Sequence, residues 1–181
     1  VRQDFRAVVF TVGHSTRSLA EFIALLAAHS VSQLIDVRSV PRSRHNPQFN
    51  RDTLPAALEA AGIGYAHLGG LGGFRHTHPG SLNMGWRNVS FRGFADYMQT
   101  PEFAENLAAL IERATREQLA LMCAEAVPWR CHRSLIADAL VVHGIRAEEI
   151  INAARLQEHT LTPFARVADT TITYPPEVTS P

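Results

Sequence analysis

The residues of this 181-residue chain best suited to chemistry surround its two cysteines: Cys123-Ala124-Glu125 is followed by Cys131-His132-Arg133-Ser134. The thiolate, not the thiol, is the nucleophile, and its pKa falls at a helix N-terminus or beside a cation. Cys131 stands where a helix is expected to begin, so the backbone N–H groups there favour its anion. His132 and Arg133 add cationic capacity next to it. Cys131 is therefore the expected nucleophile or redox thiol, and Cys123 a resolving thiol. The plainer alternative for both is a small buried side chain, since free cysteine is among the most buried residue types. Glu125 and His132 are the candidate acid–base groups, because imidazole titrates near neutral pH and a carboxylate rises with burial.

Other chemistry-bearing residues follow strand-like runs in the same way. His14 and Ser15 come after Gly13, and could hold a phosphate or carboxylate or simply cap the next helix. Asp36-Val37-Arg38 leads to Arg42 and Arg44, and His67 closes a further run. All 17 basic residues are arginine and none is lysine, so every such cation is a planar fork suited to carboxylate or phosphate. Arg38, Arg44 and Arg133 are the expected anion holders. Arg38, Arg42, Arg44 and Arg51, with His45 and Phe49, also form a strip that could grip a nucleic-acid backbone. A solvated loop with one structural Arg–Asp pair is the alternative. Cys123, Cys131 and His132, with His14 or His67, could supply thiolate and imidazole to zinc or iron. Their C-x7-C-H spacing differs from the tight pairs of structural zinc sites, and no metal site is assigned.

The elements that must position these groups are read from hydrophobic period. Phe5–Val12, Gln33–Val37, Ile63–His67, Gln118–Cys123 and Ile145–Ile151 read as strands. Ser18 and Glu21 form a capping box ahead of a helix with Leu19, Phe22, Ile23 and Leu26 on one face. Asp52 is expected to cap a short helix that Gly62 ends, and Thr100, with Pro101 behind it, to cap a longer one. A further helix runs from about Cys131 to His143. The alternation predicts an α/β fold: a mainly parallel sheet of about five strands with helices on both faces. Residues 1–161 form the expected single domain, and 162–181 an irregular tail rich in Thr and Pro. Gly69–Gly93 is glycine-rich and aperiodic, and its Phe74, Trp86 and Phe91 are either a base-stacking lid or loop anchors.

Ligands bind beyond the carboxyl ends of strands in open parallel sheets. His14, Arg38, His67 and Cys123 all fall at such ends. Hydrophobic residues make up 46% of the chain and the formal net charge is zero, so a packed core is expected and no global field draws it to nucleic acid or membrane. No apolar run is long enough to span a membrane, Val1–Asp4 leads straight into a strand without a signal-peptide stretch, and two cysteines form no secreted disulfide framework. The cytoplasm is the expected compartment. The sequence names no cofactor and sets no oligomeric state.

Taken together, Thr11-Val12-Gly13-His14-Ser15, Asp36-Val37-Arg38 with Pro41 and Ser43-Arg44, Tyr65-x-His67-Leu68-Gly69-Gly70, and Leu121-x-Cys123-x-Glu125 with Cys131-His132-Arg133 resemble the bacterial domain of unknown function 488 family. The resemblance runs from about residue 8 to residue 160. It implies a cytosolic α/β domain and carries no catalytic assignment. A phosphatase or rhodanese loop also starts from a strand-end cysteine, but here no glycine lies between Cys123 and Arg130, and Glu125 opposes an anion. The function expected from the residues is an enzyme acting on an anionic, phosphate-bearing or nucleotide-like molecule. A nucleic-acid-binding module and a metal-binding protein are the alternatives.

Overall fold

A computed structural model describes residues 7–176. Its chain order begins β1 (Val8–Gly13), α1 (Leu19–Ala28), β2 (Gln33–Asp36), α2 (Leu54–Ala60), β3 (Gly64–His67), α3 (Val89–Tyr97) and α4 (Pro101–Ala114). It continues through β4 (Leu119–Cys123), α5 (Arg133–Val142), β5 (Arg146–Asn152), β6 (Arg155–Glu158), β7 (Arg166–Ala168) and β8 (Thr171–Thr173). The main sheet has six strands in the order β3-β2-β4-β1-β5-β6. All pairings are parallel except β5 with β6. The expected α/β architecture is thus present, with one added antiparallel edge strand.

Period-two alternation in the strands builds two cores. Leu119, Leu121 and Cys123 face the side covered by α3, α4 and α5, whose Phe94, Leu107 and Leu135 pack there. Ala120 and Met122, their neighbours in the same strand, face α1 and α2 through Phe22, Leu26 and Leu58. The helices begin where local chemistry satisfies their free N–H groups. Ser18 and Glu21 exchange both bonds of a capping box, and the Thr100 side chain accepts from Phe103 N with Pro101 at the first helical position. Asp52 does not cap α2: that helix follows Thr53, whose backbone is already helical, and no side chain caps it. The expected start of α5 at Cys131 also shifts, because Cys131 is extended (φ −131°) and the helix begins at Arg133.

The segment after Thr162, read from sequence as irregular, contains the antiparallel β7–β8 hairpin. Ile172 and Tyr174 enter the core on the α3–α5 side. The Tyr174 hydroxyl donates to Asp138 Oδ2 at 2.8 Å, which fixes the chain end on α5. Three-residue strands of mostly exposed polar residues carry no readable period, so only the contacts define them. Phe5 and Arg6 of the first expected strand lie outside the described residues.

Register lines up the site. Gly13 pairs with Cys123, Asp36 with Met122, and His67 with Asp36, so four strands end on one rim. The chain leaves β1 and β2 toward α1 and α2 on one face, while β4, which lies between them, leaves toward α5 on the other. Neighbouring strands whose connections diverge leave a crevice at their carboxyl ends. Among the described residues, no helix is long and apolar enough to cross a membrane.

Candidate active site around Cys123 and Cys131

The turn from β4 into α5 is shaped by its neighbour β1. Parallel pairing continues past both strands, with His14 N donating to Cys123 O at 2.9 Å and Ser15 N to Ala124 O at 3.0 Å. Glu125 then passes directly over Gly13, where a Cβ would lie 1.8 Å from the Glu125 carbonyl oxygen. Only glycine fits that approach. A single 3-10 turn, Pro128–Arg130, brings the chain back, and Cys131 N bonds to Pro128 O at 3.0 Å.

This return sets the two sulfurs 2.7 Å apart. Three groups meet the Cys131 sulfur. The Cys123 thiol is the first, Nδ1 of His132 lies at 3.6 Å, and the backbone N–H of Arg133, in the first turn of α5, donates at 3.5 Å. His132 Nε2–H donates to the Val37 carbonyl at 3.1 Å. That leaves Nδ1 facing Cys131, placed to take the thiol proton and then donate it back to the thiolate. Phe94 packs tilted on the same imidazole at 5.0 Å.

The two thiols are driven apart in acidity. Burial pushes the Cys123 thiol up, and it donates to its neighbour. Cys131 is drawn down chiefly by that hydrogen bond from Cys123, and further by His132 and Arg133, against the opposing effect of burial. The arrangement sets a less acidic thiol as donor to a more acidic one, at a helix N-terminus that favours negative charge.

Arg133 supplies fixed positive charge from behind. Its side chain is 0% exposed. Nη1 spans both Glu149 oxygens at 3.2 and 3.1 Å, and Nη2 donates to Glu125 O at 2.8 Å. Thr11 donates its hydroxyl to Glu149 Oε2. The guanidinium therefore fixes the Cys123–Cys131 turn and its charge, and it is spent on protein groups. Its Nε has no partner among the described residues.

Both cysteines line a cleft of about 550 Å³ shared with His132, Arg42, Arg130 and Phe74. Cys131 is 5% exposed, while the Phe74 ring is 81% exposed at the rim. Arg42 and Arg130 are exposed, and among the described residues neither guanidinium has an ion pair. These two are the cations available to an anion. Glu125 also lines the cleft with its side chain exposed, in reach of solvent.

The other expected site residues take different places. Arg38 lines the cleft wall but gives Nε and Nη2 to Asp36 at 2.9 and 2.6 Å and Nη2 also to Phe49 O at 2.7 Å. His14 is 1% exposed and stacks on Phe49 at 4.2 Å. Its Nδ1 pairs with Ser15 O at 2.8 Å, and its Nε2 lies 3.4 Å from Arg38 Nη1. Burial foremost lowers the His14 pKa to about 4, so the ring is neutral and accepts from Arg38. His67 Nε2 donates to Arg38 O at 2.7 Å, and Tyr65 donates to Asp36 Oδ2 at 2.8 Å. Buried His14, Asp36 and Arg38, with half-buried His67, thus form one brace beside the cleft. Ser15, half-buried with φ 50°, and Arg44, exposed, do not line it.

Of the basic strip, Arg38 and Phe49 are withdrawn into this brace. In the glycine-rich stretch, Trp86 stacks on Phe91 at 4.9 Å and packs on Phe164 at 4.9 Å, so these two aromatics are loop anchors. Asp96 pins the loop by accepting from Thr77, Ser81 and Asn83 at 2.8, 2.5 and 2.8 Å. Among the described residues, no three His, Cys, Asp or Glu side chains are placed to share one metal ion. Sequence reasoning missed Glu149, which holds Arg133, Thr11, which holds Glu149, and the Val37 carbonyl, which orients His132. The one available signal was the adjacent pair Glu148-Glu149 within the expected strand Ile145–Ile151.

Compared with known proteins, the family model described as Domain of unknown function DUF488 matches residues 18–140. That span includes both cysteines and His132 and Arg133, and leaves Glu149 outside. No curated protein and no solved structure matches the chain.

Proposed function

The chain belongs to the DUF488 family, and we propose that its cleft is the active site of an enzyme in which Cys131 attacks an anionic small molecule. The observation that supports this reading is the Cys131 sulfur itself, which meets a thiol donor, a backbone N–H and the basic nitrogen of His132 while lining an open cleft. Nucleophilic thiols are activated by an adjacent base or by a lowered pKa, and both devices are present. Arg42 and Arg130 attract the substrate's charge, and exposed Phe74 offers an apolar or aromatic surface to the rest of the molecule. Arg133 acts through the thiolate, while His14 and Arg38 hold the wall.

Iodoacetamide alkylation as a function of pH tests the reading. Cys131 is expected to react at pH 6 at a rate near its plateau, whereas an ordinary thiol with pKa about 8.5 is almost entirely protonated there. Cys131→Ser should remove the fast phase, and an anion such as phosphate or citrate should slow it by occupying the cleft. A single slow phase with the pH profile of a free thiol overturns the proposal.

A further inference from the structure

We infer, building on Cys131 as the nucleophile, that the cleft carries out dithiol–disulfide exchange on a carboxylate-bearing disulfide, with Cys123 as the resolving thiol. The sulfurs stand 2.7 Å apart, and both cysteines line the cleft. A disulfide needs about 2.05 Å, so the bond can close with a displacement well under 1 Å and no refolding. A thiol in contact with the nucleophile makes it more acidic whatever it attacks. In exchange at sulfur it is the group that releases product. The unpaired Arg42 and Arg130 at the same cleft match carboxylates on the substrate.

The steps balance as follows. The Cys131 thiolate attacks one sulfur of the substrate disulfide, a bond forms to Cys131, and the first substrate thiolate leaves. Cys123 gives its proton to that thiolate and attacks the Cys131 sulfur, and the second substrate thiolate departs. Two electrons pass from protein to substrate: the protein thiol–thiolate pair becomes a disulfide, and the substrate disulfide becomes one thiol and one thiolate, which takes its proton from solvent. A small dithiol reductant returns the protein to its starting state. Exchange proceeds through such a mixed disulfide, and it is fastest for an attacking thiol that is ionised and a leaving thiol that is acidic.

Glutathione disulfide added to the reduced full chain, followed by acid quenching and intact mass, tests this. The wild type is expected to lose both alkylatable thiols without a lasting adduct, and dithiothreitol should restore them. Cys123→Ser should accumulate a glutathione adduct on Cys131; if that variant does not fold, the wild-type masses alone decide. Glutathione disulfide should react roughly tenfold faster than uncharged hydroxyethyl disulfide, a gap that added salt narrows. Equal rates overturn the carboxylate assignment. A wild type that stays as the adduct, or stays reduced while Cys131 is still alkylated fast, overturns the exchange reaction and leaves the nucleophile standing. A Cys131 that alkylates slowly overturns both.

Discussion

Gly73 and His132 are in direct contact: a Cβ on Gly73 would lie 2.6 Å from Nδ1 of His132, the nitrogen that faces Cys131. The glycine-rich stretch thus passes over the His132 ring at the nitrogen that faces Cys131. His132 has little room to yield, since Val37 holds its far nitrogen and Phe94 its face. Gly73→Ala should therefore displace the ring. The expected result is a loss of stability of about 1–3 kcal/mol, as overpacking typically costs, together with slower alkylation of Cys131 at pH 6. Thermal melting and alkylation kinetics check the two effects separately. An unchanged alkylation rate would show that the ring does not assist the thiol.

His132→Asn tests the same base without crowding. It removes Nδ1 while leaving a polar side chain. The pH midpoint of Cys131 alkylation should move upward, toward that of an ordinary thiol, since the imidazole is one cause of the lowered Cys131 pKa. It should not move all the way, because the Cys123 hydrogen bond and the Arg133 N–H remain.

Glu149→Gln should be more damaging than its distance from the cleft suggests. It leaves the Arg133 guanidinium buried without its countercharge, and breaking a buried pair this way costs about 3–5 kcal/mol. Replacing both, as Arg133→Leu with Glu149→Leu, should recover much of that stability, since apolar replacement of a buried pair is often neutral. The double variant should still alkylate slowly at pH 6. Denaturant unfolding and alkylation together separate the structural role of the pair from its charge.

His14 gives the protein a pH dependence of known sign. Its pKa is lowered on folding, to about 4 from 6.5, so the unfolded chain binds more protons between those values. Stability is full above pH 6.5 and falls as pH drops toward 4, by up to about 3 kcal/mol for this group. His14→Gln should flatten that limb of the stability curve, measured by urea unfolding across the range. An unchanged slope would place the dependence elsewhere.

The C-terminal hairpin should matter to the whole domain. Tyr174→Phe leaves one Asp138 oxygen without its buried donor, which costs about 1–3 kcal/mol. Truncation after residue 161 should lower the melting temperature further, because Ile172 and Tyr174 leave the core.

The contrast between Cys131 and Arg38 shows what the sequence made legible. Alternation and capping placed the strand ends, and with them the cysteines, because core burial and cap bonds are local and periodic. Which way a strand-end cation turns is not local. Asp36-Val37-Arg38 reads equally as an anion grip or as an arginine folded back on its own aspartate, and burial beside Phe49 and Tyr65 selects the second. Glu149 carries no legible role in the sequence because its partner Arg133 arrives from another element. β6 and the β7–β8 hairpin are short and largely polar, so nothing but tertiary contact marks them.

Ultraviolet absorbance of the thiolate, titrated against pH in the reduced wild type and in Cys131→Ser, tests the central claim most directly. The account predicts one thiolate already present at pH 6 in the wild type and missing from the variant. Absence of any thiolate until the pH nears the ordinary thiol range of about 8.5 would contradict it.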